Sequence, residues 1–165
     1  MIGRFLLPAV FAAAVLTLFA VPGHTEMRNG DAPLLTVSGN AGATVATFTR
    51  AEMEALPQRE IRTTTTWTDG VQTFTGPLVR DVLAAAGVSG GTARAVALND
   101  YAVDIPASDF ADYDVILALR QNGDEMSVRD KGPIWIVYPR DDHAELQKVE
   151  ENSKWIWQLS RIELR

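Results

Sequence analysis

The stretch Ile61–Leu83, IRTTTTWTDGVQTFTGPLVRDVL, limits the fold more than any other part of this chain. Ile61 to Thr66 are mostly β-branched, and residues of that kind favour a pleated, half-buried strand. Trp67, Asp69 and Gly70 predict a turn, and Val71 to Thr75 a second short strand. Gly76-Pro77 predicts a helix that starts with proline at its first position. That helix runs to about Ala86, with Leu78, Val82, Leu83 and Ala86 inward and Gly87 as its stop. Elements this short bury little by themselves, so they must be parts of a sheet assembled from the whole chain. The stretch also carries chemistry. Threonine hydroxyls donate and accept, and tryptophan offers a flat apolar face with one N–H donor. The combination suits a planar polar heterocycle; it equally suits an edge strand whose Trp67 covers the core.

The rest of the chain has the same grain. Leu34–Ser38 and Thr44–Phe48 read as strands around a Gly39-Asn40-Ala41-Gly42 turn, and Thr49 with Glu52 forms a capping box for a short helix ending before Pro57. Ala93–Leu98 and Tyr101–Ile105 read as strands broken at Asn99-Asp100, followed by a turn or single helical turn at Pro106–Phe110. Val115–Arg120 is a buried strand, Asn122-Gly123 a hairpin turn, and Ser127–Gly132 a charged loop. Ile134–Tyr138 is another buried strand, Pro139–Glu151 is irregular or partly helical, and Trp155–Leu164 closes the chain as a strand. The expected fold is α+β: one domain over 34–165 with a mostly β, mixed-sheet or barrel-like core and two or three short helices.

Residues 1–25 have one arginine, an apolar run from Phe5 to Val21 and small or turn-forming residues after it. This is the layout of a secretory signal peptide, so a periplasmic protein is expected, with 26–33 as a loose mature N-terminus and no membrane attachment after cleavage; the alternative is an uncleaved anchor, for which the apolar run is near the lower limit of a span. A net charge of −6 argues against nucleic acid and anionic membrane surfaces as partners. The absence of cysteine excludes disulfides, thiolate metal sites and a cysteine nucleophile. A serine triad has no G-x-S-x-G and only His143 outside the leader. His143 alone makes no zinc site and reads as a surface residue.

Taken in order, GPLVRDVL, ALNDYAVDIPASDF, LALRQNGDEMSVRDKGPIWIVYP and KWIWQLSRIEL resemble the molybdopterin-binding domain of the sulfite-oxidase family of oxidoreductases. The resemblance covers about residues 34–165. It implies a sulfite-oxidase-like fold and a site in which the family's enzymes hold molybdenum through a cysteine at the place matching Thr63–Trp67. Here that place holds threonine, whose hydroxyl stays protonated near neutral pH and is hard where the metal wants soft sulfur. The chain is therefore similar to the small, cysteine-free periplasmic pterin-binding proteins of the PruR type. That likeness implies a reduced, molybdenum-free pterin as ligand and a membrane-bound signalling enzyme, of the cyclic di-GMP type, as partner. A molybdopterin oxidoreductase with a non-cysteine site and a non-binding interaction domain are the alternatives.

Pterin recognition needs a flat stacking face and donors and acceptors for the lactam and amino edge. Trp67 is the first stacking candidate, with Thr64, Thr65 and Thr66 beside it. Asn99, Asp100 and Tyr101 offer a carboxylate for the guanidine-like edge or are simply a turn. Arg129, Asp130 and Lys131 match the family's cofactor loop or form a solvated one. Arg140 follows a buried strand at the same mouth, with Asp141, Asp142 and His143 after it. Lys154 and Trp155 match the family's closing pair, and Trp155 is the second stacking candidate; Trp157 and Trp135 read as core.

Overall fold

In the computed structural model, residues 32–39 and 43–165 are described. The expected leader, most of the expected loose N-terminus and the tip of the Asn40–Gly42 turn lie outside them. Among the described residues no helix is long and apolar enough to cross a membrane.

The capping box forms as its sequence dictates. The Thr49 hydroxyl accepts the Glu52 N–H at 3.2 Å, and the Glu52 carboxylate accepts the Thr49 N–H at 2.7 Å. This starts α1 (Arg50–Ala55), whose one buried residue is Met53. Before it, β1 (Leu35–Ser38) and β2 (Thr44–Phe48) pair antiparallel. After it, β3 (Gln58–Thr65) and β4 (Thr68–Pro77) form a long hairpin.

This hairpin corrects two sequence expectations. The turn is the two-residue Thr66-Trp67 step, with Thr65 paired to Thr68, so Asp69 and Gly70 lie inside β4. Pro77 ends β4 instead of opening a helix; α2 (Val79–Ala85) begins after Leu78 and buries Val79, Val82 and Leu83. The strand extends because Gly76 lies against β7 (Ile116–Ala118): a Cβ at residue 76 would sit 1.9 Å from the Leu117 carbonyl oxygen. Leu119 N–H donates to the Thr75 carbonyl, continuing that contact. Gly87, at φ +72°, stops the helix as its sequence predicts.

Two larger sheets result. The first is mixed, in the order β2-β1-β11-β5-β6, built with β5 (Thr92–Ala97), β6 (Ala102–Pro106) and β11 (Leu159–Leu164). Its β1–β11 pair is parallel and its other pairs are antiparallel. The second is β3-β4-β8-β9, with β8 (Arg120–Gln121) and β9 (Asp124–Glu125) joined at Asn122-Gly123, both at positive φ. A short pair of β7 with β10 (Trp135–Val137) stands between them. It leans on β4 on one side. On the other, Ile136 N–H donates to the Ile156 carbonyl and Leu159 N–H to the Ile134 carbonyl, which ties it to the chain entering β11. α3 (Ala107–Asp112) and 3₁₀ segments at Arg140–Asp142, Ala144–Gln147 and Val149–Lys154 complete the α+β fold.

The closing strand is shorter than expected. Trp155 to Gln158 form no continuous strand, because Gln158 takes φ +53°, and only an isolated bridge links Trp157 to Trp135. This break positions the site. It lets Trp155 and Trp157 turn toward one cleft while β11 keeps its register in the first sheet. Beneath lie Trp135, Tyr138, Phe74 and Ile156, each 2 % exposed or less.

Candidate functional site

All four tryptophans of the chain converge. Trp67, held at the tip of the β3–β4 hairpin, has its ring centroid 5.5 Å from Trp157, 5.9 Å from Trp155 and 6.2 Å from Trp135. The contacts are edge-on or tilted, the geometry that the ring quadrupole favours. Trp135 and Trp155 are buried, whereas Trp67 and Trp157 are half-exposed. Trp67 therefore does both things its sequence allowed: it caps the aromatic core and shows a surface to solvent.

That surface lines a cleft of about 370 Å³, at the small end of the range for small-molecule sites. Trp67, Trp155 and Trp157 form its aromatic wall. Asn99 and Tyr101, from the turn between β5 and β6, and Asn152 and Ser153, from the last 3₁₀ segment, bring polar groups. Of the sequence candidates, Trp67, Asn99, Tyr101 and Trp155 meet here. Asn152, Ser153 and Trp157 were not candidates. The signal for the first two was their place just before the Lys154-Trp155 pair; Trp157 was assigned to the core because the segment was read as one strand.

The remaining candidates lie outside the cleft lining. Asp100, at φ +64°, faces Arg161 at 3.4 Å. Arg129 is exposed in its loop. Lys131 pairs with Asp130 at 3.1 Å and lies 5.5 Å from the Trp135 ring centroid, a cation–π contact. His143 packs edge-on against Tyr113 at 4.9 Å with 35 % of its side chain exposed.

Lys154 lies behind the wall. Its ammonium donates to Asp109 at 2.8 Å and pairs with Glu151 at 2.7 Å, and Asp109 also accepts the Tyr138 hydroxyl at 3.1 Å. Burial works against the Lys154 charge, but the hydrogen bonds to Asp109 and Glu151 outweigh it and raise its pKa. Burial, with the Asp109 charge beside it, pushes the Tyr138 hydroxyl up as well. Tyr138 packs 6.1 Å from Trp155. The network thus sets the position of the Trp155 ring, and Lys154 belongs to its support.

The threonine run is tied into a separate knot. Thr63 is fully buried; its hydroxyl accepts the Asp141 N–H at 3.2 Å. Thr64 donates its hydroxyl to Asp141 at 2.6 Å and its N–H to the same carboxylate at 2.7 Å, while Arg140 Nη1 donates to the Thr64 hydroxyl at 2.8 Å. The Thr65 hydroxyl bonds Thr68 and accepts the Trp67 N–H at 3.0 Å, which fixes the hairpin tip. Thr66 is exposed. Two buried polar atoms have no partner here, Arg140 Nε and Trp135 Nε1.

A model of the oxidoreductase molybdopterin binding domain matches residues 31–160. This chain belongs to that family. The structure of the sulfane dehydrogenase SoxCD from Paracoccus pantotrophus superposes with a TM-score of 0.61 at 20 % identity, so the two share a fold. The alignment covers 86 % of this chain but 40 % of that one, so the chain spans well under half of its structural relative. No curated protein matches the sequence.

The family's name implies a metal-bearing pterin, and the residues present fit only part of it. The tryptophan wall and its amides fit a planar bicyclic ring. The metal has no matching donors: the chain has no thiolate, the hydroxyls of Thr63, Thr64 and Thr65 are turned to protein partners, and the described residues hold no cluster of three His, Asp or Glu suited to a metal ion.

Proposed function

We propose that this chain is a periplasmic binding protein for a reduced pterin without molybdenum, and that it reports its loaded state to a membrane-bound signalling enzyme of the cyclic di-GMP type. The single observation that carries the binding role is the convergence of Trp67, Trp155 and Trp157 on one cleft in a molybdopterin-binding fold that lacks any thiolate. Stacking on tryptophan is worth about 1–3 kcal/mol for a nucleobase-sized ring. The leader-like residues 1–25 support export, and the likeness to the small PruR-type proteins supports the signalling partner.

Thermal unfolding titrated with a reduced pterin tests the binding role. A ligand that binds only the folded state at one hundred times its Kd stabilises by about 2.7 kcal/mol. A rising, saturable Tm is expected; a Tm indifferent to pterin up to millimolar concentration overturns the reading. The family's description favours a second reading, a molybdopterin-dependent oxidoreductase with an atypical site. It requires stoichiometric molybdenum.

A further inference from the structure

Resting on that ring-binding reading, the geometry points to a selection rule: the cleft admits uncharged, non-phosphorylated ring ligands, and the Asn152 and Asn99 carboxamides read their edge. No charged residue lines the cleft. The charges flanking it in the chain are mutually paired, except that Glu150 has no ion-pair partner among the described residues, and the carboxylates outnumber the cations. Asp100 stands between Asn99 and Tyr101 and is exposed, and Glu150 and Glu151 immediately precede Asn152. The nearby cations are held: Lys154 by Asp109 and Glu151, Arg161 by Asp100 and Glu163, and Lys131, beside the Trp135 ring, by Asp130. A phosphate entering this mouth would lose water without gaining a cation, and it would meet a negative field.

The amides are free to act. Asn99 uses its Oδ1 to accept the Tyr101 N–H at 3.1 Å, which leaves its NH₂ group available. Asn152 gives its backbone carbonyl to the Trp155 N–H, and its carboxamide has no hydrogen-bond partner among the described residues. The Asn152 carboxamide places a donor beside an acceptor, the complement of a lactam or aminopyrimidine edge, as when asparagine reads adenine, and Asn99 adds its NH₂ donor. Both amides are neutral, so recognition brings no charge into the cleft.

The test is calorimetric titration of the purified protein with 6-hydroxymethyl-7,8-dihydropterin and with its phosphate monoester, at low salt and in 0.5 M NaCl. The neutral pterin is expected to bind at least tenfold more tightly at low salt, with the gap narrowing at high salt as the repulsion is screened. Equal or tighter binding of the ester overturns the charge rule and leaves ring binding intact. Binding of neither overturns the ring-binding reading, and the charge rule with it. Asn152→Leu, and separately Asn99→Ala, should each weaken the neutral pterin several-fold with an unchanged unfolding midpoint. Unchanged affinity in both variants overturns the amide role.

Discussion

Replacing Asp109 with alanine removes one carboxylate that serves two groups behind the cleft. Tyr138 is 1 % exposed and its hydroxyl loses its one acceptor among the described residues, which costs about 1–3 kcal/mol. Breaking a buried ion pair costs roughly 3–5 kcal/mol, but Lys154 keeps Glu151 at 2.7 Å and its side chain is 20 % exposed, so about 1 kcal/mol is the better figure for that half. The total is about 2–4 kcal/mol, which for a urea slope of about 2 kcal/mol/M moves the midpoint down by about 1–2 M. The alkaline limb adds a signature. The folded pKa of Lys154 is raised, so its contribution is fully present below the unfolded value of 10.5 and is lost as pH rises through the higher folded value. Asp109→Ala should flatten that loss. Urea unfolding followed by tryptophan fluorescence, at neutral pH and near pH 11, reads both effects. A midpoint shift smaller than about 0.3 M, equivalent to about 0.6 kcal/mol at that slope, would refute the claim that Asp109 anchors this wall.

Three further outcomes are expected. Trp67→Ala should weaken pterin binding by about 1–3 kcal/mol, or roughly 5- to 150-fold, while Trp67→Phe keeps most of it, as read by titration of folded protein. Gly76→Ala should cost about 3 kcal/mol or more, at the upper end of overpacking, because its Cβ would meet the Leu117 backbone; yield and Tm report it. Asp114 is held below the usual carboxylate range by the Arg80 hydrogen bond, partly opposed by burial, and then by the charges of Arg80 and Arg59. Its folded pKa is depressed, so the stabilisation is present above the unfolded value and lost as pH falls through the folded one. Exposure limits it to about 0.5 kcal/mol, and the Tm gap between the parent and Arg80→Met should narrow from about pH 6 to about pH 2.5, the remainder coming from the Arg80 bonds to the Phe110 and Tyr113 carbonyls.

The parts of this fold that local chemistry decides were legible in the residues. The Thr49–Glu52 capping box, the Asn122-Gly123 turn and the Gly87 stop follow from short-range rules and appear as expected, and the buried Ile134–Tyr138 segment appears with its strand confined to Trp135–Val137. What tertiary contacts decide was not legible. Pro77 has the look of a helix start, but the approach of β4 to β7 at Gly76 keeps it in the strand. Trp155–Leu164 alternates like one strand, but the bridge between Trp157 and Trp135 and the positive φ of Gln158 break it.

The candidate site divided along the same line. Trp67 and Trp155 were visible because aromatic rings beside polar residues are conspicuous in any sequence. Asn152 and Ser153 were not, since only the path of the last 3₁₀ segment brings them to the β5–β6 turn. Charge was the weakest guide. Lys154, Arg140 and Lys131 each suggested a ligand contact, and each meets a protein carboxylate. Thr64 suggested a ligand hydroxyl and instead closes a knot with Asp141 and Arg140.

The central claim is a pterin held without a metal. Its most direct measurement is the content of the protein purified natively, without denaturation and under reducing conditions: pterin by fluorescence after oxidation, and molybdenum by elemental analysis, on the same sample. The account predicts pterin approaching one per chain and molybdenum below a few per cent of it. Molybdenum equimolar with protein would contradict it.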